Sequence, residues 1–213
     1  MAKRRILRLS ASLLSCLLLE GVWHAGLYAE QRTEEVLVAQ SQQQLSEEEV
    51  KKLVNEAKRL EKIGDYASAA AIWERLVIWA EHNFGPEHPG TATSLNTLAG
   101  LYNRQGLYEK AEPLYIRALA INEKVLGPEH PDTARSLRDL AFLYQAQDLH
   151  KKAEPLYIRA LAINEKVLGP EHPDTARSLR DLAFLYQAQD LHKKAEPLYI
   201  RALAINEKVL GPE

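Results

Sequence analysis

Histidine recurs in this chain at a fixed interval, and imidazole is a common metal ligand. His88, His130 and His172 each stand in a Glu-His-Pro segment, and neighbours in this series are 42 residues apart. If each interval folds as a helix pair, these imidazoles lie at least about 10 Å apart, because packed helices are separated by 8–10 Å. A shared zinc ion needs its ligands about 2 Å away. We therefore expect these histidines, together with His150 and His192, to cap or pack against helix ends, and we predict no metal site.

Ser136, His130 and Asp132 have the residue types of a hydrolase triad, in which a serine attacks and a histidine takes its proton. The same three types recur unchanged in the following copy of the sequence, and no nucleophile-elbow motif surrounds either serine. The chain also contains no Gly-rich phosphate loop, no HExxH motif and no EF-hand loop. The sequence therefore predicts a protein that is not an enzyme, with no catalytic residues and no cofactor.

An internal repeat sets the positions of all these residues. Residues 110–171 and 152–213 are the same 62 letters, offset by 42, and looser copies begin at Phe84 and around Leu45. A fixed period between 20 and 50 residues is typical of solenoids, whose units bury their apolar faces only by stacking on neighbours. The identity between copies also extends to positions expected to be exposed, such as Arg135 and Arg177. It therefore reflects copying of the sequence and does not mark functional residues.

Each copy is predicted to form two helices joined by a tight turn. In the first helix, Leu137, Leu140, Ala141 and Tyr144 have the spacing of one helix face. The second helix carries a wider apolar stripe: Ala153, Leu156, Tyr157, Ala160, Leu161 and Ile163. The turn falls at Asp148, where Gly106 stands in the preceding copy. Such turns usually need a left-handed residue, which glycine adopts more readily than aspartate.

Caps and breakers predict the helix boundaries. Ser46 and Glu49 form a capping box at the start of the first helix. Gly127 is expected just past a helix end. Pro131 disfavours helix at the residue before it, so we expect Asp132 or Thr133 to cap the next helix. Pro155 falls about two turns into the second helix of its copy, which predicts a kink or a late-starting helix.

The N-terminal residues have the pattern of an export signal. Lys3, Arg4, Arg5 and Arg8 precede the apolar run Leu9–Leu19, which is too short to span a membrane as a helix. We predict a signal peptide over residues 1–29, cleaved after Ala29, and a periplasmic or secreted protein. The alternative is an uncleaved anchor at residues 6–28. We expect contact with a membrane only in that case. The polar, Gln-rich residues 30–45 are predicted to be a linker.

The pattern of small and large residues resembles the tetratricopeptide repeat, in the longer variant found in kinesin light chains and their bacterial look-alikes. The residues that carry the likeness are Leu98-Ala99, Tyr102, Ala111, Tyr115 and Ala118, then Leu140-Ala141, Tyr144, Ala153, Tyr157 and Ala160, then Leu182-Ala183, Tyr186, Ala195, Tyr199 and Ala202. The first copy is degenerate, with Ala57, Leu60 and Trp73 at key positions. The resemblance implies an all-α, right-handed α-solenoid of about four helix-turn-helix units, at approximately 46–83, 84–125, 126–167 and 168–213.

The resemblance also implies a site, because in this family the first helix of each unit lines a concave groove that binds ligands. The corresponding residues are Lys51, Val54, Lys58 and Glu61 in the first unit, Thr93, Asn96, Gly100 and Asn103 in the second, Arg135, Arg138, Phe142 and Gln145 in the third, and Arg177, Arg180, Phe184 and Gln187 in the fourth. Arginines beside phenylalanines suit an acidic peptide with an apolar side chain. The alternative is that Arg135 pairs with Asp139 and the phenylalanines only cover neighbouring helices.

The function predicted first is a scaffold that binds a partner protein or peptide in this groove. Nucleic acid is not expected as a partner, because 27 basic residues are balanced by 29 acidic ones. One alternative is a regulatory arm of a longer enzyme whose catalytic domain lies beyond residue 213. Another is a self-assembling structural array. The last copy stops within the segment that links two units, at Gly211-Pro212-Glu213, which favours a longer natural protein.

Overall fold

The computed structural model describes residues 45–211, and this part of the chain is entirely helical. The predicted signal peptide at residues 1–29 and all of the predicted linker except Leu45 lie outside the described residues. Within residues 45–211 there are eight helices and no strand, as predicted. They are α1 (Glu47–Lys62), α2 (Tyr66–Phe84), α3 (Pro89–Arg104), α4 (Tyr108–Val125), α5 (Pro131–Ala146), α6 (His150–Val167), α7 (Pro173–Ala188) and α8 (His192–Leu210).

Odd-numbered helices are the first of each unit, here called A helices, and even-numbered ones are B helices. Each helix packs against the next one along the chain, and α3 contacts α5 directly, as α5 does α7. Successive B helices are bridged by long side chains, as in the ion pairs Arg117–Glu81 and Arg159–Glu123, both with an N–O distance of 2.5 Å. The A helices from α3 to α7 thus contact one another directly, and we call the surface of the A helices that faces away from the B helices the inner face.

The predicted apolar stripes form the core between these two layers. Leu137, Leu140, Ala141 and Tyr144 of α5 are all buried, and Ala153, Tyr157, Ala160 and Ile163 of α6 are buried with them. Leu156 and Leu161 are partly buried against the same clusters, and so is Trp73 of the degenerate first unit. The core prediction is therefore confirmed in its residues as well as in its periodicity.

Histidines cap the A helices of the last three units. His88, His130 and His172 have extended backbones, and each Nδ1 accepts a hydrogen bond from the backbone N–H two residues later, at 3.0, 3.1 and 3.1 Å. The expectation that Asp132 or Thr133 is the cap is wrong. Pro131 forces His130 out of the helical region but is itself well suited to the first helical position, so the cap falls on the histidine.

The turns between A and B helices have the predicted left-handed geometry. Asp148 and Asp190 have φ values of 58° and 57°, and Gly106 at the equivalent turn has φ 73°. A late start of the helix containing Pro155 is wrong, because α6 begins at His150. Its first turn is already fixed by the Leu149 carbonyl, which accepts from the N–H groups of Lys152 and Ala153 at 2.9 and 3.1 Å, upstream of the proline.

The first helix begins as predicted. The Glu49 backbone N–H donates to Ser46 Oγ at 3.3 Å, and the Ser46 N–H donates to Glu49 Oε2 at 2.8 Å, which completes the capping box. Over residues 45–211, none of the helices combines the length and apolar character needed to span a bilayer.

Candidate functional site

The predicted groove residues all lie on A helices, but they fall into two groups by exposure. The exposed residues are Lys51, Lys58, Thr93, Arg135, Phe142, Arg177, Arg180, Phe184 and Gln187, and each phenylalanine is 53% exposed. The others are buried or half-buried: Val54, Glu61, Asn96, Gly100, Asn103, Arg138 and Gln145. Contact with a ligand requires exposure, which only the first group has.

Arg138 joins two A helices instead of facing outward. Its Nε and Nη2 both donate to Asp181 Oδ2 of α7, at 2.8 and 2.5 Å, and only 13% of the arginine side chain is exposed. Removing one partner of a largely buried ion pair strongly destabilises the fold, since the other charge is left without compensation. Arg138 therefore has a structural role at the junction between the third and fourth units.

Arg135 pairs with Asp132, at 3.0 Å, and Arg177 pairs with Asp174, at 3.9 Å. The alternative expectation, a pair between Arg135 and Asp139, is wrong, because the rotamer of Arg135 follows the acidic first turn of its helix. Both arginines are more than half exposed. Exposed pairs of this type contribute little to stability, so these guanidinium groups can exchange their partners at low free-energy cost.

Gln145 supports the core beneath the inner face. Its Oε1 accepts a hydrogen bond from the Tyr157 hydroxyl at 3.0 Å, and Gln187 does the same for Tyr199 at 2.7 Å. Burial raises the pKa of the Tyr157 phenol, and the nearby charge of Asp181 adds to this effect. Gln145 is consequently a positioning residue for Tyr157, and only 8% of it is exposed.

A cleft of about 400 Å³ lies between α3 and α5, on the side of the second and third units where their A helices begin. It is lined chiefly by polar side chains, among them Thr93, Asn96, Asn122, Asp132, Arg135 and Asp139. Thr93, Asn96 and Arg135 were predicted from the sequence to lie in the groove, whereas Asn122, Asp132 and Asp139 were not. We refer to this feature as the junction cleft.

The junction cleft exists because the second unit has short side chains where later units have long ones. Gly90, Thr93 and Asn96, which line the cleft, stand at the repeat positions of Asp132, Arg135 and Arg138. One unit later, Arg138 bridges to Asp181. Asn96 does not bridge to the equivalent Asp139; its Nδ2 donates instead to Ser136 Oγ at 2.9 Å. Comparison of the repeat copies position by position is the sequence signal that could have located this cleft.

Asp181 is paired with Arg138, whereas Asp139, at the same position of the preceding repeat, has no arginine partner among the described residues. Among the residues that the structure describes, no cation lies within 4.0 Å of it. Burial raises the pKa of Asp139 to about 6, against the opposing charges of Arg138 and Arg135 and with a further rise from Asp181. The cleft therefore holds an acidic group whose charged form is under-compensated.

Two amide oxygens beside it lack hydrogen-bond donors. Asn122 is 4% exposed and donates to Ser136 Oγ at 3.0 Å, and within the described part of the chain neither Asn122 Oδ1 nor Asn96 Oδ1 has a partner although both are buried. Buried acceptors are normally paired, so unpaired ones call for an explanation. Asp139 and these two oxygens are therefore acceptors that no donor of the described residues satisfies.

The residues considered for metal binding and hydrolysis are separated or occupied. Ser136 Oγ accepts from both Asn96 and Asn122, and the Nδ1 of His130 serves as a helix cap. His150 and His192 begin α6 and α8. In residues 45–211 no group of three or more His, Cys, Asp or Glu side chains is arranged to hold a metal ion.

Comparison with known proteins points to one family. The family model described as Tetratricopeptide repeat matches residues 52–112, 95–157 and 137–208, which together extend over most of the chain. No curated protein sequence matches the chain.

Several solved structures resemble the chain. BtubC (BKLC) from P. vanneervenii is 26% identical with a TM-score of 0.65, over 74% of this chain and 63% of that one. The chain thus spans less than two thirds of the length of BtubC. A Podosopora anserina protein described as a kinesin light chain with nearly identical TPR-like repeats is 29% identical with a TM-score of 0.63, over 83% and 84% of the two chains. The apo form of RapI, 18% identical with a TM-score of 0.64 over 86% and 68%, shares the fold.

Proposed function

Because the chain belongs to the tetratricopeptide-repeat family and is of its kinesin-light-chain-like type, we propose that it is a protein-interaction scaffold whose inner face binds an extended segment of a partner protein. The observation that carries this proposal is the exposure of Phe142 and Phe184, each 53%, at the same position of successive A helices. Aromatic side chains are enriched among the residues that dominate binding energy at interfaces. A fold of stacked helix pairs is typically non-catalytic, which agrees with a binding role.

The charges beside these phenylalanines favour a segment that carries carboxylates near α7. Arg177 is 55% exposed and Arg180 60% exposed. The Nε of Arg180 is 4.0 Å from Asp181, a carboxylate that Arg138 already neutralises. Among the arginines of α5 and α7, Arg180 has the longest distance to an acidic partner, and it is the one we assign to an acidic residue of the ligand.

The proposal is tested with peptides selected from a displayed random library against the folded chain. Phe184→Ala should weaken the binding of the selected peptides by about tenfold or more, since an aromatic anchor is lost. Arg180→Glu should weaken the acidic peptides among them more than the neutral ones. Affinity is measured by fluorescence anisotropy of labelled peptides, with circular dichroism to confirm the fold.

The matched control is Ile158→Ala on the B helix α6. Ile158 is 46% exposed, close to the exposure of Phe184, but lies on a helix of the other layer. It should leave peptide affinity unchanged. If Ile158→Ala weakened binding and Phe184→Ala did not, the inner face would not be the binding surface. Arg138 is unsuitable for this test, because its replacement leaves Asp181 without its partner.

We also propose that the protein is exported by the charged and apolar residues at its N-terminus. The support is the pattern of Lys3, Arg4, Arg5 and Arg8 before Leu9–Leu19. Expression of the full chain, cell fractionation and N-terminal sequencing of the product test this. Export followed by a first residue of Glu30 is the expected result; a product that keeps Met1 and stays in the cytoplasm would contradict it.

A further inference from the structure

We propose that the junction cleft between α3 and α5 binds the guanidinium group of an arginine side chain supplied by the partner segment. The inference rests on the proposed function and adds the chemistry of one ligand residue. The bound group would occupy, at the junction of the second and third units, the place that Arg138 occupies at the next junction. The partner segment would then carry a cation over α3 and α5 and carboxylates over α7.

The repeat itself supplies the reference state for this site. Residues 131–146 of α5 and 173–188 of α7 are identical in sequence, so Asp139 and Asp181 occupy the same position of the same helix. Asp181 receives two guanidinium hydrogen bonds from the preceding A helix, and Asp139 faces Asn96 there. At this repeat position, arginine fills the site beside Asp181, whereas asparagine leaves Asp139 without an ion pair among the described residues.

The acceptors around the cleft suit a guanidinium. This group carries five N–H donors in a planar fork and no acceptor. Asp139 offers a carboxylate. The Oδ1 atoms of Asn96 and Asn122 have no donor among the described residues, but they are fully buried, so these side chains have to turn to accept from the ligand. Lysine offers three donors from a single point, so it can satisfy the carboxylate but matches the spread of acceptors less well. The cleft volume of about 400 Å³ exceeds what one side chain fills.

The arginines near the cleft in the described part of the chain, residues 45–211, do not complete the site. Arg135 lines the cleft, but its guanidinium is 61% exposed and pairs with Asp132 at 3.0 Å. Arg138 is committed to Asp181 of α7. The charges of Arg138 and Arg135 lower the pKa of Asp139, and so does Arg177 of α7. The pKa of Asp139 is nevertheless above its usual value, because the effect of burial is larger. Residues 45–211 therefore do not supply the positive charge that Asp139 lacks.

The binding test uses capped arginine, the N-acetyl methylamide, titrated into the full chain and followed by NMR of the backbone and asparagine amides at constant ionic strength. Resonances of Asn96 and Asn122 should shift, and capped citrulline, which is isosteric and uncharged, should bind about tenfold or more weakly. Asp139→Asn should cause a similar loss. Equal binding of arginine and citrulline, or shifts confined to other residues, would overturn the proposal.

Two substitutions serve as matched controls, because each gives one junction the residue that the other junction has at the same repeat position. Asn96→Arg places the internal arginine where the ligand is proposed to bind, and should abolish capped-arginine binding while raising the melting temperature. Arg138→Asn should open a second cleft at Asp181 and increase the number of bound arginines from one to two. If Arg138→Asn does not fold, Asn96→Arg decides alone, and unchanged arginine binding in that variant would refute the site.

Two outcomes distinguish a failure of the arginine site from a failure of the proposed scaffold function. Library peptides that bind through Phe184 but show no preference for arginine, and a chain that ignores capped arginine, would refute the junction site alone. Loss of peptide binding to the whole inner face, with capped arginine still bound at Asp139, would refute the scaffold proposal and leave a site for a guanidinium group.

Discussion

At the scale of single residues, the choice between asparagine and arginine at one repeat position determines what the neighbouring aspartate can do. Arg138 neutralises Asp181 across two helices, whereas Asn96 leaves Asp139 half-buried and without an ion pair among the described residues. Burying a carboxylate without a partner is unfavourable for its charged form. The same helix sequence thus holds a stabilising aspartate in one copy and a destabilising one in the other.

The raised pKa of Asp139 predicts an unusual dependence of stability on pH. Its usual pKa is 3.8 and its folded pKa is about 6, so between these values the folded state retains a proton that the unfolded state releases. The free energy of unfolding should therefore fall as pH rises from about 4 to about 6, by at most about 3 kcal/mol from this group. Urea unfolding at a series of pH values measures it.

The control for this prediction is Asp139→Asn, because other carboxylates titrate in the same range. The pKa values of Glu49, Glu56 and Asp65 are lowered by hydrogen bonds, and groups of this kind give stability that is lost as pH falls. The difference between wild type and Asp139→Asn isolates the one carboxylate. A difference that does not vary with pH would mean that Asp139 is not buried as described.

At the scale of elements, each A helix is defined by its cap and each turn by one left-handed residue. The left-handed residue is glycine in the first two units, at Gly64 and Gly106, and aspartate in the last two, at Asp148 and Asp190. An L-residue in this region is strained relative to glycine, although aspartate tolerates it better than most. The later turns are therefore less favourable locally than the earlier ones.

We predict that Asp148→Gly stabilises the protein by about 0.5 kcal/mol, since relief of the positive φ outweighs the added entropy of glycine in the unfolded chain. The matched control is Gln147→Gly, one residue earlier, where φ is −100°. There glycine relieves no strain, so the variant should lose roughly 0.5–1 kcal/mol. Thermal unfolding measures both, and a loss of stability in Asp148→Gly would contradict the prediction.

At the scale of the whole array, stability comes from interfaces that recur once per unit. At each junction an arginine of one B helix pairs with a glutamate of the preceding one, as in Arg159–Glu123 and Arg201–Glu165. At each junction a tyrosine of the A helix also donates to a glutamate of the preceding B helix, as Tyr144 does to Glu112 at 2.8 Å. Such an array behaves as a sum of units and nearest-neighbour interfaces.

Deletion of residues 126–167 removes one complete period and rejoins identical letters. We expect a folded, all-helical protein with a lower melting temperature, since one unit and one interface are lost. The deletion also brings Asn96 opposite Asp181, so the open junction should persist while the arginine-filled one disappears. Circular dichroism and differential scanning calorimetry test the fold and the stability. A melting temperature equal to that of the full chain would contradict nearest-neighbour stacking.

Sequence alone determined the helix pairs, the buried stripes, the left-handed turns and the family, because all of these depend on residue periodicity within one unit. Its errors concern choices between nearby partners: the cap fell on His130 and not Asp132, and Arg135 paired with Asp132 and not Asp139. Only the tertiary structure decided which inner-face residues are free. Identical letters face different neighbours at each junction, so Asp139 lines an open cleft while Asp181 binds Arg138. This difference arises at the contacts between units, which the sequence of a single copy does not specify.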